Sequence, residues 1–66
     1  MNKLTFRADV NGRSFGVIVV RQGLATAYAG RAVLANVLLS HAVLWIQRQS
    51  PETGQSVHFQ LVGHFV

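Results

Sequence analysis

The sequence contains no cysteine and only two acidic residues, Asp9 and Glu52, among its 66 residues. Without thiols the chain can form neither a disulfide nor a zinc–thiolate site. Two acids give little material for the carboxylate pairs of general acid–base catalysis, and no glycine-rich phosphate loop or nucleophile–base spacing is present. We therefore expect a protein that is not an enzyme and that holds no cofactor and no metal ion.

The sequence also lacks a long uninterrupted apolar run. The longest apolar stretch, 32–46, includes Asn36, Ser40 and His41, and it is shorter than the roughly 18 residues that a membrane span needs. Arg7 interrupts any apolar run of the signal-peptide type near the N-terminus. We expect a cytoplasmic protein, with a small membrane-associated protein as a remote alternative.

The chain has few charged residues, and most of them are positive. Six Lys and Arg residues against two acids give a net charge of +4, and five of the six cations are arginine. Arginine suits phosphates and carboxylates, so the expected partner is nucleic acid or an acidic protein surface. Half of the residues are apolar, whereas a domain of this size buries only about 60% of its unfolded surface. We therefore expect one domain over 1–66 that self-associates, as a homodimer.

Asn11-Gly12 is the clearest local signal of structure in the chain. The pair favours a type I′ turn, because both central positions of that turn need a positive φ. A two-residue loop there pairs Val10 with Arg13 and separates apolar from polar positions on two strands, about 3–10 and 13–21. The face predicted to meet the core carries Leu4, Phe6, Ala8, Val10, Phe15, Val17 and Val19.

The segment from Leu24 to about Ser40 has a different periodicity. Apolar residues recur there at a spacing of three to four, which is typical of an α-helix. The stripe is so broad that the helix is expected to be buried on more than one side. The residues that mark the spacing are Leu24, Tyr28, Ala32, Ala35 and Leu39.

From Val43 the spacing returns to two, and Pro51 to Gly54 form a turn. Strands over about 43–49 and 55–64 would make a second hairpin, with Trp45 and His58 facing away from the helix. The predicted fold is α+β with ββαββ topology, one helix packed on a four-stranded antiparallel sheet in the order 2-1-3-4. A competing interpretation extends the helix through Ile46 or Arg48, giving ββα plus a terminal strand.

The sheet face without the helix is the predicted binding surface. Arginine and lysine side chains would supply charge complementarity, and Trp45 would be the apolar anchor. The residues predicted to contact a partner are Lys3, Arg7, Arg13, Trp45, Arg48 and His58. Apolar residues of the same face are predicted to form the dimer interface, namely Ile18, Val20, Val43 and Val62.

The function predicted from these features is binding rather than catalysis. We expect a small basic interaction protein, a homodimer, that binds and modulates or inhibits a larger macromolecular partner, as an accessory factor of bacterial or phage type would. The alternative is a nucleic-acid-binding protein, in which Trp45 stacks on bases and Arg7 pairs with phosphate on the exposed sheet. No small-molecule substrate is predicted.

Overall fold

The structure is a computed structural model that describes residues 3–52 and 54–65, the last two of them in backbone only. Within these residues the chain forms five strands and one helix, and the strands make an antiparallel sheet in the order β4-β3-β2-β1-β5. The first four strands form a meander, and β5 returns beside β1. The elements are β1 (Lys3–Val10), β2 (Arg13–Arg21), β3 (Leu24–Ala29), β4 (Ala32–Val37), α1 (Leu39–Arg48) and β5 (His58–Phe65).

The predicted class, α+β with one helix and an antiparallel sheet, is confirmed, whereas the ββαββ order with four strands is wrong. The segment 24–40 is a hairpin for most of its length, and 43–48 is helical. The competing interpretation is confirmed in part, because the helix ends at Arg48 and a terminal strand follows it. That strand pairs with β1.

Tight turns join the strands of the meander. Asn11 and Gly12 have φ of 50° and 77°, as the sequence predicted, and Gln22 and Gly23 have φ of 52° and 78°. Positive φ at both central positions is the requirement of a type I′ turn, which matches the twist of the flanking strands. Gln22-Gly23 therefore reverses the chain into β3, where periodicity alone predicted a helix.

A β-bulge in the first hairpin decides which residues of β2 face α1. Asp9 pairs with Ser14 and Ala8 pairs with Gly16, so Phe15 is the extra residue. The extra residue reverses the alternation of every later position of β2. Gly16, Ile18 and Val20 consequently share a face with Ala8, and the predicted inward orientation of Val17 and Val19 is wrong.

The core lies between α1 and the inner face of the meander. Ala25 and Ala27 of β3 and Ala42 and Ile46 of α1 are fully buried, and Ile18 is 1% exposed. Ala42 and Ile46 are one turn apart, so they lie on the same side of the helix. Alanine is depleted in strands generally. Here it allows the helix to lie close to β3, against which α1 packs most extensively.

The approach is closest at Gly16. A Cβ atom there would lie 2.8 Å from Cδ1 of Ile46 and 2.9 Å from the carbonyl oxygen of Tyr28. Both distances are shorter than a carbon atom can tolerate without displacement of its neighbours. The helix position thus depends on the absence of a side chain at this point of β2.

We predict that Gly23→Val lowers the free energy of unfolding by about 1–3 kcal/mol, because a β-branched residue resists the φ of 78° that the turn requires. Urea unfolding monitored by circular dichroism measures the change. Gly12→Val is the matched comparison, with φ of 77° and equally open space around the missing side chain. An unchanged midpoint in Gly23→Val alone would show that β2 and β3 are not joined by this turn.

We predict that Gly16→Ala is destabilising by about 1–3 kcal/mol, the usual cost of overpacking. A loss of stability would be informative, because in a strand without such a close contact alanine is favoured over glycine by about 0.5–1 kcal/mol. Adding Ile46→Val removes the Cδ1 atom that the new methyl group would meet. The double variant should lose less stability than the two single changes added together, and strict additivity would contradict the close contact.

Candidate functional site

The sheet has one face that α1 does not cover, here called the open face. Paired residues of neighbouring strands share a face, so the register places Lys3, Arg7 and Arg21 opposite the side on which α1 packs. Apolar and small polar residues lie between these cations. The open face consists of Lys3, Thr5, Arg7, Asp9, Val17, Val19, Arg21, Leu24, Thr26, Tyr28, Val33, Asn36, His58 and Gln60.

A shallow hollow of about 300 Å³ occupies one end of the open face. Lys3 and Arg21 are directly paired across β1 and β2 and supply its positive charge. Tyr28, 43% exposed, supplies a flat apolar surface with a hydroxyl group. The complete lining is Lys3, Val19, Arg21, Leu24, Thr26, Tyr28 and Asn36.

A second bulge shapes the rim of this hollow. Ala25 pairs with Val37 and Ala27 pairs with Leu34, so β4 has an additional residue there. Asn36 takes the left-handed conformation, with φ of 56°, which asparagine tolerates better than most residues. The backbone N–H of Asn36 donates a long hydrogen bond of 3.4 Å to Oγ1 of Thr26. The bulge therefore places Asn36 at the rim of the hollow, beside Thr26.

The other end of the open face carries a polar cluster centred on Arg7. Its Nε lies 3.2 Å from Oδ1 of Asp9, and its Nη2 donates a hydrogen bond of 2.6 Å to Oε1 of Gln60. The Arg7–Asp9 contact is close in distance but is not aligned as a hydrogen bond. Asp9 therefore compensates part of the charge of Arg7, and the contacts to Asp9 and Gln60 restrict the Arg7 side chain to one place on the sheet.

The predicted partner-binding residues do not form one surface. Lys3, Arg7 and His58 lie on the open face, as the sequence predicted. Trp45 and Arg48 belong to α1, on the other side of the sheet, so their predicted place on a strand of the open face is wrong. Trp45 packs against the buried core instead. Arg13, the first residue of β2, is exposed beside the first turn.

The four residues predicted for a dimer interface are also dispersed. Ile18 lies in the core, and Val20 is half-buried on the face that α1 covers. Val43 is on α1, and Val62 is half exposed at a bulge of β5. The shift at Phe15 and the helical state of 43–48 account for these differences. The predicted grouping of these residues on the open face is therefore wrong.

The sequence did not predict Arg21, Tyr28 or the other residues of the hollow, with the exception of Lys3. Tyr28 was placed in a helix because Leu24 and Ala32 flank it at a spacing of four. The alternative signal was an alternation of alanine with Thr26 and Tyr28 in β3, bounded by Gly23 and Gly30. Glycines at both ends of a short alternating run are typical of strands between tight turns.

Neither metal binding nor a membrane span is found in the part of the chain that the structure describes. In residues 3–52 and 54–65 no group of three or more His, Asp or Glu side chains is placed to hold a metal ion. The helix found in the same residues, α1, has ten residues, and no helix there is long and apolar enough to cross a bilayer.

The open face, with its hollow at one end and the Arg7 cluster at the other, is the candidate functional site. Its cations and its exposed tyrosine are held on adjacent strands, so their spacing is fixed by the sheet. The chain matches no protein-family model, no curated protein and no solved structure.

Proposed function

We propose that this chain is a small, non-enzymatic binding protein whose open face covers an acidic surface of a larger protein and thereby modulates or inhibits it. The observation that carries the proposal is the division of the sheet into two faces. Its inner face packs under α1, and its open face carries Lys3, Arg7 and Arg21 around valines and Tyr28. An apolar centre with charged surroundings is the usual anatomy of a protein interface.

The dimensions of the open face are compatible with a small specific interface. From β4 to β5 the sheet covers about 19 Å at 4.8 Å per strand spacing, and β1 is about 26 Å long at 3.3 Å per residue. The resulting footprint of about 500 Å² corresponds to about 1,000 Å² buried on the two partners together, near the lower limit for a specific interface. A few residues would then supply most of the binding energy, and Tyr and Arg are frequent in that role.

The apolar centre of the open face favours a protein partner over nucleic acid. Among the side chains that the structure describes, the aromatic rings of the open face, Tyr28 and His58, lie on strands separated by β2 and β1, whereas sheets that recognise single-stranded RNA stack two or three bases. Val17 and Val19, at the centre of the face, suit apolar protein side chains better than bases.

Single-stranded nucleic acid is the second candidate, favoured by one observation. Lys3, Arg21 and Tyr28 line the same hollow, and a cation beside an exposed aromatic ring can bind a phosphate and stack on the adjoining base. The two candidates differ in salt dependence. Neutralising three phosphates of a single strand gives a slope of about −2 in log K against log salt.

The test uses affinity capture with the tagged full chain as wild type, Arg21→Glu and Arg31→Glu, each with and without nuclease treatment. Both arginines are exposed, and Arg31 lies in the turn between β3 and β4, so the two variants carry the same change in net charge. We expect a captured protein that resists nuclease, is lost in Arg21→Glu by at least about tenfold and is retained in Arg31→Glu.

Equal loss in both variants would show that net charge, rather than the open face, determines binding, and would contradict the proposal. Loss on nuclease treatment would support the second candidate. Tyr28→Ala, measured by calorimetry with the purified partner, should weaken binding by about tenfold or more if Tyr28 is an anchor. Circular dichroism of each variant establishes that the sheet is intact.

A further inference from the structure

The floor of the hollow consists of short side chains that lie between longer ones. Val19 and Thr26 are paired across β2 and β3 and form this floor. On one side of them Arg21 pairs with Leu24, and on the other side lies Tyr28. All five residues line the hollow. The hollow is therefore a gap in the side-chain layer of the open face, with a charged wall at one end and an aromatic wall at the other.

The charged wall attracts anions. Lys3 is paired with Arg21 across β1 and β2, so two cations lie side by side there. Both acidic residues of the chain lie elsewhere, since Asp9 belongs to the polar cluster at the other end of the open face and Glu52 accepts a hydrogen bond of 2.7 Å from Asn11. Among the described residues Arg21 forms no ion pair. Its guanidinium group can hold a carboxylate through two parallel hydrogen bonds.

The remaining lining suits a segment of protein. Tyr28 and Leu24 are each 43% exposed, so both present apolar surface to a ligand. Asn36 lies at the rim, and an asparagine amide can both donate and accept hydrogen bonds, as a peptide group does. A carboxylate, an apolar side chain and peptide groups together match the two walls and the rim.

The distance between the walls sets the spacing of these groups in the ligand. Tyr28 is four residues beyond Leu24, the partner of Arg21, and four residues of a strand span about 13 Å. A charge-assisted hydrogen bond takes up about 3 Å of this distance, and contact with the ring takes up about 4 Å. The carboxylate and the apolar group are then about 6 Å apart, which in an extended chain is the separation of side chains two residues apart on the same side.

We propose that the hollow binds an extended acidic segment of the partner protein, in which a carboxylate side chain and an apolar side chain are two residues apart. Arg21, together with Lys3, binds the carboxylate, and Tyr28 packs against the apolar side chain. The residue between them points away from the hollow. This inference rests on the proposed function, since it names the part of the partner that the open face recognises.

The first test titrates the isotope-labelled full chain with a pentapeptide, blocked at both ends, that has a glutamate and a leucine two positions apart. We expect the backbone amide signals of Val19, Thr26 and Tyr28 to shift in nuclear magnetic resonance spectra, and that of Ala42 in α1 to remain unchanged. A control peptide with glutamine in place of the glutamate should bind at least about tenfold more weakly. A peptide of the same composition, with the leucine next to the glutamate, should also bind more weakly.

The second test uses variants of the charged wall. Arg21→Gln should weaken binding of the glutamate peptide by about tenfold or more, whereas Arg21→Lys, which keeps the charge but loses the planar fork, should lose less. Arg31→Gln is the matched control, because Arg31 is an exposed arginine in the turn between β3 and β4, and it should bind as wild type does. The spectrum of each free variant establishes that the sheet is intact.

Three results would overturn the proposal. The first is equal binding of the glutamate and glutamine peptides, and the second is equal loss of binding in Arg21→Gln and Arg31→Gln. The third is a single-stranded oligonucleotide that shifts the signals of the hollow at lower concentration than the glutamate peptide does, which would assign the hollow to nucleic acid.

Failure of this inference can be distinguished from failure of the proposed function. A partner captured through Arg21, combined with a glutamate peptide that leaves the signals of the hollow unshifted, would overturn the inference and leave the proposed function standing. Binding of the glutamate peptide in the hollow, without any captured protein, would count against the proposed function and not against carboxylate recognition by the hollow.

Discussion

The close approach of α1 to the sheet is the constraint on which the rest of the structure depends. It requires very small residues where the helix and the strands meet, and Gly16, Ala25 and Ala27 provide them. The fully buried large side chains of the described residues are correspondingly few, namely Ile18, Ile46 and Val10. Stability then comes from dense contact between small groups more than from apolar volume, so small changes of volume in this layer have large effects. The helix cannot tilt or rise to accommodate them without losing Ile46 from its place over Gly16.

The bulge at Phe15 decides which residues of β2 lie on the open face. Had β2 continued in regular alternation, Val17 and Val19 would lie under the helix and Ile18 would face outward. The additional residue places Ile18 in the core and Val17, Val19 and Arg21 on the open face. Arg21 is thereby adjacent to Lys3 at one end of the face. One unpaired residue thus determines both the composition of the core and the location of the positive charge.

The elements with a local signal could be predicted from the sequence, whereas a segment that fits two periodicities was assigned to the wrong element. The Asn11-Gly12 turn and the first two strands were predictable, because the turn has a specific backbone requirement. The segment 24–37 was not, because it is apolar on both faces and so satisfies the period of a helix as well as that of a strand. The helix over 43–48 was predicted only by the competing interpretation, because Val43, Trp45 and Ile46 favour strands by propensity and tertiary packing overrides that preference.

The residues of the candidate site were likewise predictable only where the signal in the sequence is local. Lys3 and Arg7 could be placed on the open face from the first hairpin alone. Arg21 could not be placed on the open face, because the bulge that orients it has no distinct signal in the sequence. Tyr28 could not be placed there either, because the sequence predicted a helix over the residues that form β3. The residues of the hollow other than Lys3 therefore became evident only once the register of β2, β3 and β4 was known.

The pairing of β5 with β1 has a consequence for how the chain folds. The meander is built from neighbouring segments and can form early, whereas His58 must find Asp9 across about 50 residues of chain. Once β1 to β4 have formed, the connection that remains to be closed is the stretch 38–57, about 20 residues long. By the logarithmic dependence on loop length, this shortening lowers the entropic cost of closure by roughly 0.8 kcal/mol. The β1–β5 pairing is thus the least local contact of the sheet, and α1 lies in the stretch of chain that this pairing closes.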